Sequence, residues 1–253
     1  MTNRDVAQVR SESASLRSRR SVRSTAARTE TTMPTEQTTA TIGAQTADFT
    51  TGFNETIGDE LATVFASEQA DLVENGVPAG AVAAGERLPS ATVVTEGGES
   101  VALSSLLGDG PAVLVFYRGA WCPYCNITLR HYDATLAPEL ASRGVAFVAV
   151  SPETPDASAT LGGELGFTVV TDPGNALATE LGIVTAPSDA AIEAHTALGF
   201  AVKDSNADDT PAIPFPTVLV LDAEGVVRFA DVHVDYTTRT ETEAILAAVD
   251  ALS

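Results

Sequence analysis

The chain has 253 residues, an apolar fraction of 44%, a formal net charge of −20 and two cysteines. That length suits one domain with extensions, or at most two small ones. No apolar run reaches the roughly 18 residues that a bilayer-spanning helix needs, and so acidic a body repels nucleic acid and anionic membrane. Two cysteines three apart in sequence cannot form a secretory disulfide framework, so a reducing, cytoplasmic home is expected.

Residues 1–29 hold seven arginines against Asp5 and Glu12, while the rest holds seven basic residues against 32 acids, a net of −25. With Lys203 as the only lysine, this surface reads as that of a halophilic protein, where salt screens self-repulsion. The plainer alternative is an ordinary acidic bacterial protein. Residues 1–45 are Ser-, Thr-, Arg- and Gln-rich and are expected to stay disordered, because they hold too little apolar surface to offset ordering entropy. A basic leader, a tail touching nucleic acid and an over-extended reading frame are all open. Acidic character begins near Met33, which favours a true start there. Residues 46–84 then read as a helical extension and linker, and 85–253 as the main domain.

Phe53, Ile57, Leu61, Phe65 and Leu72 fall at helical spacing and predict a helix of about twenty residues, a plain structural element ending at Gly76 and Pro78. Thr92–Val94 and Val101–Leu103 predict a hairpin around Gly97-Gly98, after which Leu106-Leu107 leads into a buried strand over 111–117. That strand delivers Arg118-Gly119-Ala120-Trp121-Cys122-Pro123-Tyr124-Cys125, followed by an apolar stripe at Leu129, Tyr132, Leu136 and Leu140 on one helical face, kinked by Pro138 and ended by Gly144. Strands follow over 145–150 and 167–170, with a helix between them that Asp156 could cap. A helix over 175–181 closes at Gly182. The alternation means an α/β domain with a largely parallel central sheet. Residues 186–212 read as an irregular insertion with a helix over 189–198. Asp204–Asp208 imitates the start of a calcium loop, yet Asp209 and Phe215 occupy the positions that need Gly and Glu, so a solvated acidic loop is the better reading. A hairpin over 218–229 and a helix over 241–252 complete the chain.

The chemistry concentrates at the cysteines. A strand that hands Cys-x-x-Cys to a helix N-terminus is a thiol-redox device, because free amide N–H groups and the helix dipole stabilise a thiolate there. Cys122, at the helix start and expected to be the more exposed, is the candidate attacking thiolate, and Cys125 one turn on is within its reach. Pro123 suits the first helical turn because it lacks an N–H. Trp121 is expected to shield the site. Tyr117 is expected in the core, with its hydroxyl able to reach the pocket. A metal site needs more ligands than His131, His195 and His233 offer: His131 lies nearly two turns beyond Cys125, and His233 with Asp235 fits turn chemistry. No nucleotide, flavin or nicotinamide pattern is present, so no cofactor is expected.

The run Val115–Asn126, together with Val148-Ala149-Val150-Ser151-Pro152-Glu153-Thr154-Pro155, Thr171-Asp172-Pro173-Gly174-Asn175 and Pro214-Phe215-Pro216-Thr217, resembles the peroxiredoxin-like branch of the alkyl hydroperoxide reductase/thiol-specific antioxidant (AhpC/TSA) family. The four blocks stand in family order across roughly residues 85–250. The resemblance implies a thioredoxin-like fold with a central mixed sheet flanked by helices. It also implies a hydroperoxide substrate, and a thioredoxin or another dithiol as reductant; a homodimer is compatible with it. Two departures stand out. The threonine that precedes the peroxidatic cysteine in typical members is Gly119 here, and the family arginine across the sheet is replaced near Pro216. Arg118 is the candidate substitute, unless it pairs with surface acids. Trp-Cys-x-x-Cys with Pro216-Thr217 instead resembles thioredoxin, whose proline faces the disulfide, and Pro-Tyr between the thiols resembles glutaredoxin. Two activities therefore stay open: a thiol peroxidase, or a thiol–disulfide oxidoreductase without peroxidase activity.

Overall fold

The computed structural model describes residues 40–252; the expected basic leader and the Met33 start lie outside them. Seven strands form one sheet in the order β2-β1-β5-β4-β3-β8-β9. The strands are β1 (Thr92–Thr95), β2 (Ser100–Ala102), β3 (Ala112–Phe116), β4 (Ala146–Ser151), β5 (Thr168–Thr171), β8 (Thr217–Leu221) and β9 (Val227–Val232). Short β6 (Val184–Thr185) and β7 (Ile213–Pro214) pair separately. Only the central β3–β4 and β4–β5 pairings are parallel, and the flanking pairings are antiparallel. The largely parallel sheet inferred from alternation gives way to the mixed sheet that the resemblance implies, because both hairpins add their strands at the margins.

The continuous apolar runs are explained by burial on two faces. Along β3, Val113 and Val115 point to one core, and Ala112, Leu114 and Phe116 to the other; β4 and β8 divide in the same way. On the first face lie α3 (Pro123–Thr135), α4 (Ala137–Ser142) and α8 (Thr242–Asp250), bringing Leu129, Tyr132 and Ile245. On the second lie α2 (Leu103–Leu107) and α6 (Ala176–Glu180), bringing Leu103 and Leu177.

Several boundaries differ from expectation for local reasons. The expected kinked helix is α3 and α4, broken at Leu136, because Pro138 has no N–H to give the preceding turn and starts a helix better than it continues one. Thr154, not Asp156, caps α5 (Pro155–Gly162): its hydroxyl accepts from the Ala157 N–H at 3.2 Å. Both carboxylate oxygens of Asp172 cap α6, each 3.0 Å from a backbone N–H. The acidic loop is pinned by Asn206, which is buried and donates to the Thr210 and Ala212 carbonyls.

The first helix, α1 (Ile42–Asn75), is longer than expected and starts inside the segment read as a polar tail, with Thr41 as its cap. It is two helices that turn back on each other, so that the Phe53 and Phe65 rings lie 6.3 Å apart. Gly58 (φ 81°, ψ 164°) breaks it, a backbone state that glycine enters without steric cost. Residues 186–212 contain α7 (Asp189–Ala197), whose cap Ser188 donates its backbone N–H to the buried Glu68 of α1 at 2.8 Å. Among the described residues no helix is long and apolar enough to cross a membrane.

Candidate active site

The C-terminal end of β3 delivers the site. Tyr117 still bonds into the sheet, its N–H to the Val150 carbonyl at 3.0 Å, and the chain then turns so that Cys122 caps α3 with Pro123 at its first turn. The Cys122 carbonyl accepts from Cys125 N–H at 3.0 Å and Asn126 N–H at 3.1 Å, placing the second sulfur one turn on. Both cysteines are only 1% exposed, so Cys122 is not the more exposed of the two. The reason for Cys122 is long-range: both halves of α1, with His195 of α7 and Tyr236, wall the space above it.

Two guanidinium groups converge on the pair. Arg118, 5% exposed, points an Nη1 at Cys122 Sγ across 3.9 Å and lies between two rings, its Cζ 4.2 Å from the centroid of Tyr236 and 5.0 Å from that of Trp121. No carboxylate lies within ion-pair distance of it among the described residues. A buried cation without a carboxylate calls for another anion, and the Cys122 thiolate is beside it. Arg239, from the loop before α8, donates Nη2 to Cys125 Sγ at 3.2 Å and is held by the Tyr236 and Thr238 carbonyls at 2.6 Å.

These contacts separate the two thiols. Burial opposes ionisation of Cys122, but the hydrogen bond from the Cys125 thiol, then the charges of Arg118 and Arg239, outweigh it and hold its pKa well below that of an ordinary thiol. Burial and the neighbouring Cys122 sulfur push Cys125 well above the usual value. The pair is thus arranged as one thiolate and one thiol donor.

Gly119 explains the absent threonine. At φ 149° it leaves room for the Trp121 indole, and a Cβ there would stand 2.3 Å from Trp121 Nε1. Glu153, from a family-like block, accepts the Ala120 N–H at 2.7 Å; burial raises its pKa to about 7, against the pull of the backbone donors. Sequence reasoning assigned no role to Glu153 or Arg239. For Glu153 the signal was its place in Ser-Pro-Glu-Thr-Pro. For Arg239 there was none, since it lies more than a hundred residues from the cysteines.

Pro216 and Thr217 do not line the cavity over Cys122. Pro216 lines a small neighbouring pocket with Arg118 and Tyr236, and Thr217 turns its hydroxyl back to the Phe215 carbonyl at 2.9 Å. Tyr117 is in the core, where burial raises its pKa and its hydroxyl faces Ser151, and it does not line the pocket over Cys122. His131 pairs with Gln45 at 2.9 Å, and His233 with Thr238 at 2.7 Å. Among the described residues no three His, Cys, Asp or Glu side chains gather as metal ligands would.

A cavity of about 380 Å³ opens above Cys122, lined by Arg118, Trp121, Pro123 and Tyr124 from the site, by both halves of α1, and by His195, Leu198 and Phe200. Burial, with a smaller push from Arg118, lowers the pKa of His195 to about 4, so it is neutral at neutral pH among Phe65, Trp121 and Phe200. The sequence showed the apolar face of α1 but not what it covers.

This strand–thiol–helix arrangement on a mixed sheet is that of the AhpC/TSA family, whose model matches residues 84–230. The chain belongs to that family. Among solved structures it is similar to peroxidoxin BcpB from Mycobacterium tuberculosis (21% identical, TM-score 0.51, over 67% of this chain and 97% of that one). It is also similar to reduced Prx3 in complex with hydrogen peroxide from Vibrio vulnificus (21%, TM-score 0.53, 66% and 99%), and to a peroxiredoxin-like protein from Aquifex aeolicus (18%, TM-score 0.53, 68% and 89%). These establish the thioredoxin-like peroxiredoxin fold. A prostamide/prostaglandin F synthase of Salmo salar is 43% identical over 56 residues, 22% of this chain, and the match spans only 28% of that relative's length.

Proposed function

We propose that the chain is a thiol-dependent peroxidase in which Cys122 attacks the hydroperoxide and Cys125 resolves the product. The observation that carries this reading is the convergence of Arg118 and the Cys125 thiol on one sulfur at the floor of a cavity. The thiolate attacks the terminal oxygen of R–O–O–H, the O–O bond breaks, and the departing alkoxide takes a proton from water to become the alcohol. Arg118 stabilises the charge that develops on the oxygens. Cys122 is left as a sulfenic acid; the Cys125 sulfur displaces its hydroxyl, releasing water and forming the disulfide. An external dithiol, thioredoxin or an equivalent in a reducing cytoplasm, then exchanges with the disulfide and leaves oxidised.

The alternative, a disulfide oxidoreductase without peroxidase activity, draws support from Gly119, which stands where typical family members place the threonine, and from the thioredoxin-like Trp121–Cys125 motif. Burial of both sulfurs, with α1 walling the cavity at Cys122, favours a small oxidising substrate over a protein disulfide. Stopped-flow mixing of the reduced protein with one equivalent of peroxide decides between them. Wild type should lose two thiols, Cys125→Ser should stop at a sulfenic acid and Cys122→Ser should not react. Insulin reduction without any peroxide-driven thiol loss would establish the alternative.

A further inference from the structure

Much of the chamber above Cys122 is built by α1, which lies outside the segment that the family model matches. α1 ends before the matched segment begins, and it supplies Phe53, Ile57, Ala62, Phe65 and Ala66 to the wall. The insertion carrying α7 supplies Leu198 and Phe200 opposite. Hydrogen peroxide needs no apolar wall, and 380 Å³ far exceeds what it fills. The covering helices are also of one charge. Asp48, Glu55, Asp59, Glu60 and Glu193 are exposed on them, and neither α1 nor α7 contains a lysine or arginine. The one cation facing the chamber, Arg118, already has the Cys122 sulfur as its partner. An anionic head group would therefore meet covering helices of its own charge and no receptor inside.

Resting on the peroxidase reading above, we infer that the chamber is a substrate site for uncharged hydroperoxides bearing an extended apolar chain or ring, with the peroxide at Cys122 and the apolar part against α1 and Phe200. Free fatty-acid hydroperoxides, which carry a carboxylate, are discriminated against, and hydrogen peroxide is a poor substrate.

Binding is read first without turnover. The full chain with Cys122→Ser is titrated with methyl decanoate and with decanoate, following the fluorescence of Trp121, the only tryptophan and part of the chamber wall. The ester should give a saturable change, the acid should bind at least about tenfold more weakly, and Ala62→Phe should weaken the ester at least about tenfold by filling the chamber. Ala66→Phe serves if Ala62→Phe fails to fold. The second arm compares wild-type kcat/KM for cumene hydroperoxide and tert-butyl hydroperoxide, which differ mainly in one ring; cumene hydroperoxide should be about tenfold better or more. Equal binding of acid and ester, no saturable change, or equal kcat/KM overturns the inference. Ester binding without consumption of either peroxide keeps the ligand class and removes the peroxidase reading. Equal consumption without ester binding does the reverse.

Discussion

Gly119→Ala tests whether the missing threonine is a consequence of packing. A methyl group there would sit 2.3 Å from Trp121 Nε1, 2.6 Å from Trp121 Cδ1 and 2.9 Å from Glu153 Cδ, on a backbone with φ 149°. Side chains avoid that φ at a cost of about 1–3 kcal/mol, and forcing atoms into a filled site costs about 1–3 kcal/mol more. The indole is only half-buried and can yield, so the sum should fall near 3 kcal/mol. Displacing Trp121 also removes the ring beside Arg118, so peroxide oxidation of Cys122 should slow as well. Urea unfolding at unchanged m gives the stability change, near-ultraviolet circular dichroism of the single tryptophan gives the displacement, and stopped flow gives the rate. Gly119→Thr should be at least as destabilised and gain no peroxidase rate. An alanine variant as stable as wild type with an unaltered tryptophan signal would refute the packing argument.

Arg118→Met should raise the Cys122 pKa more than Arg239→Met does, since Arg118 contributes more to the depression, and should slow peroxide oxidation about a hundredfold; ultraviolet thiolate absorbance against pH reads the first effect, and the reverse order would contradict the geometry. Wild-type oxidation by peroxide should rise with pH as Cys122 ionises and level off below the range of an ordinary thiol. Glu153 has a raised folded-state pKa, about 7 against 4.5, so it holds a proton in the native state that the unfolded chain has lost. Its contribution to stability is full below pH 4.5 and is lost as pH rises through 7. Relative to Glu153→Gln, wild type should therefore lose about 3 kcal/mol between those limits. Parallel stability–pH curves for the two proteins would count against this.

What the sequence revealed was local in origin. Buried strands announced themselves as unbroken apolar runs, and the Trp121–Cys125 motif announced its strand-to-helix setting. The outer strands' direction was not visible, because a hairpin's place in a sheet is decided by its neighbours. Arg118 was visible as a candidate since it precedes the motif. Arg239 was not, because only the fold of the last hairpin and loop brings it to Cys125. Likewise the stripe Phe53–Ile57–Phe65 predicted a helix but not its target, and nothing in residues 186–212 indicated that Phe200 would face it across a cavity. The Gly58 break was not visible either, because the apolar spacing runs straight through it.

Two positive charges aimed at one pair of sulfurs also bear on redox equilibrium. When the sulfurs join, the negative charge that offsets the two guanidinium groups disappears, and the buried Arg118 and half-buried Arg239 are left facing a neutral bond. The oxidised form thereby loses an electrostatic stabilisation that the reduced form keeps, which draws electrons toward the pair and favours the dithiol state over the disulfide.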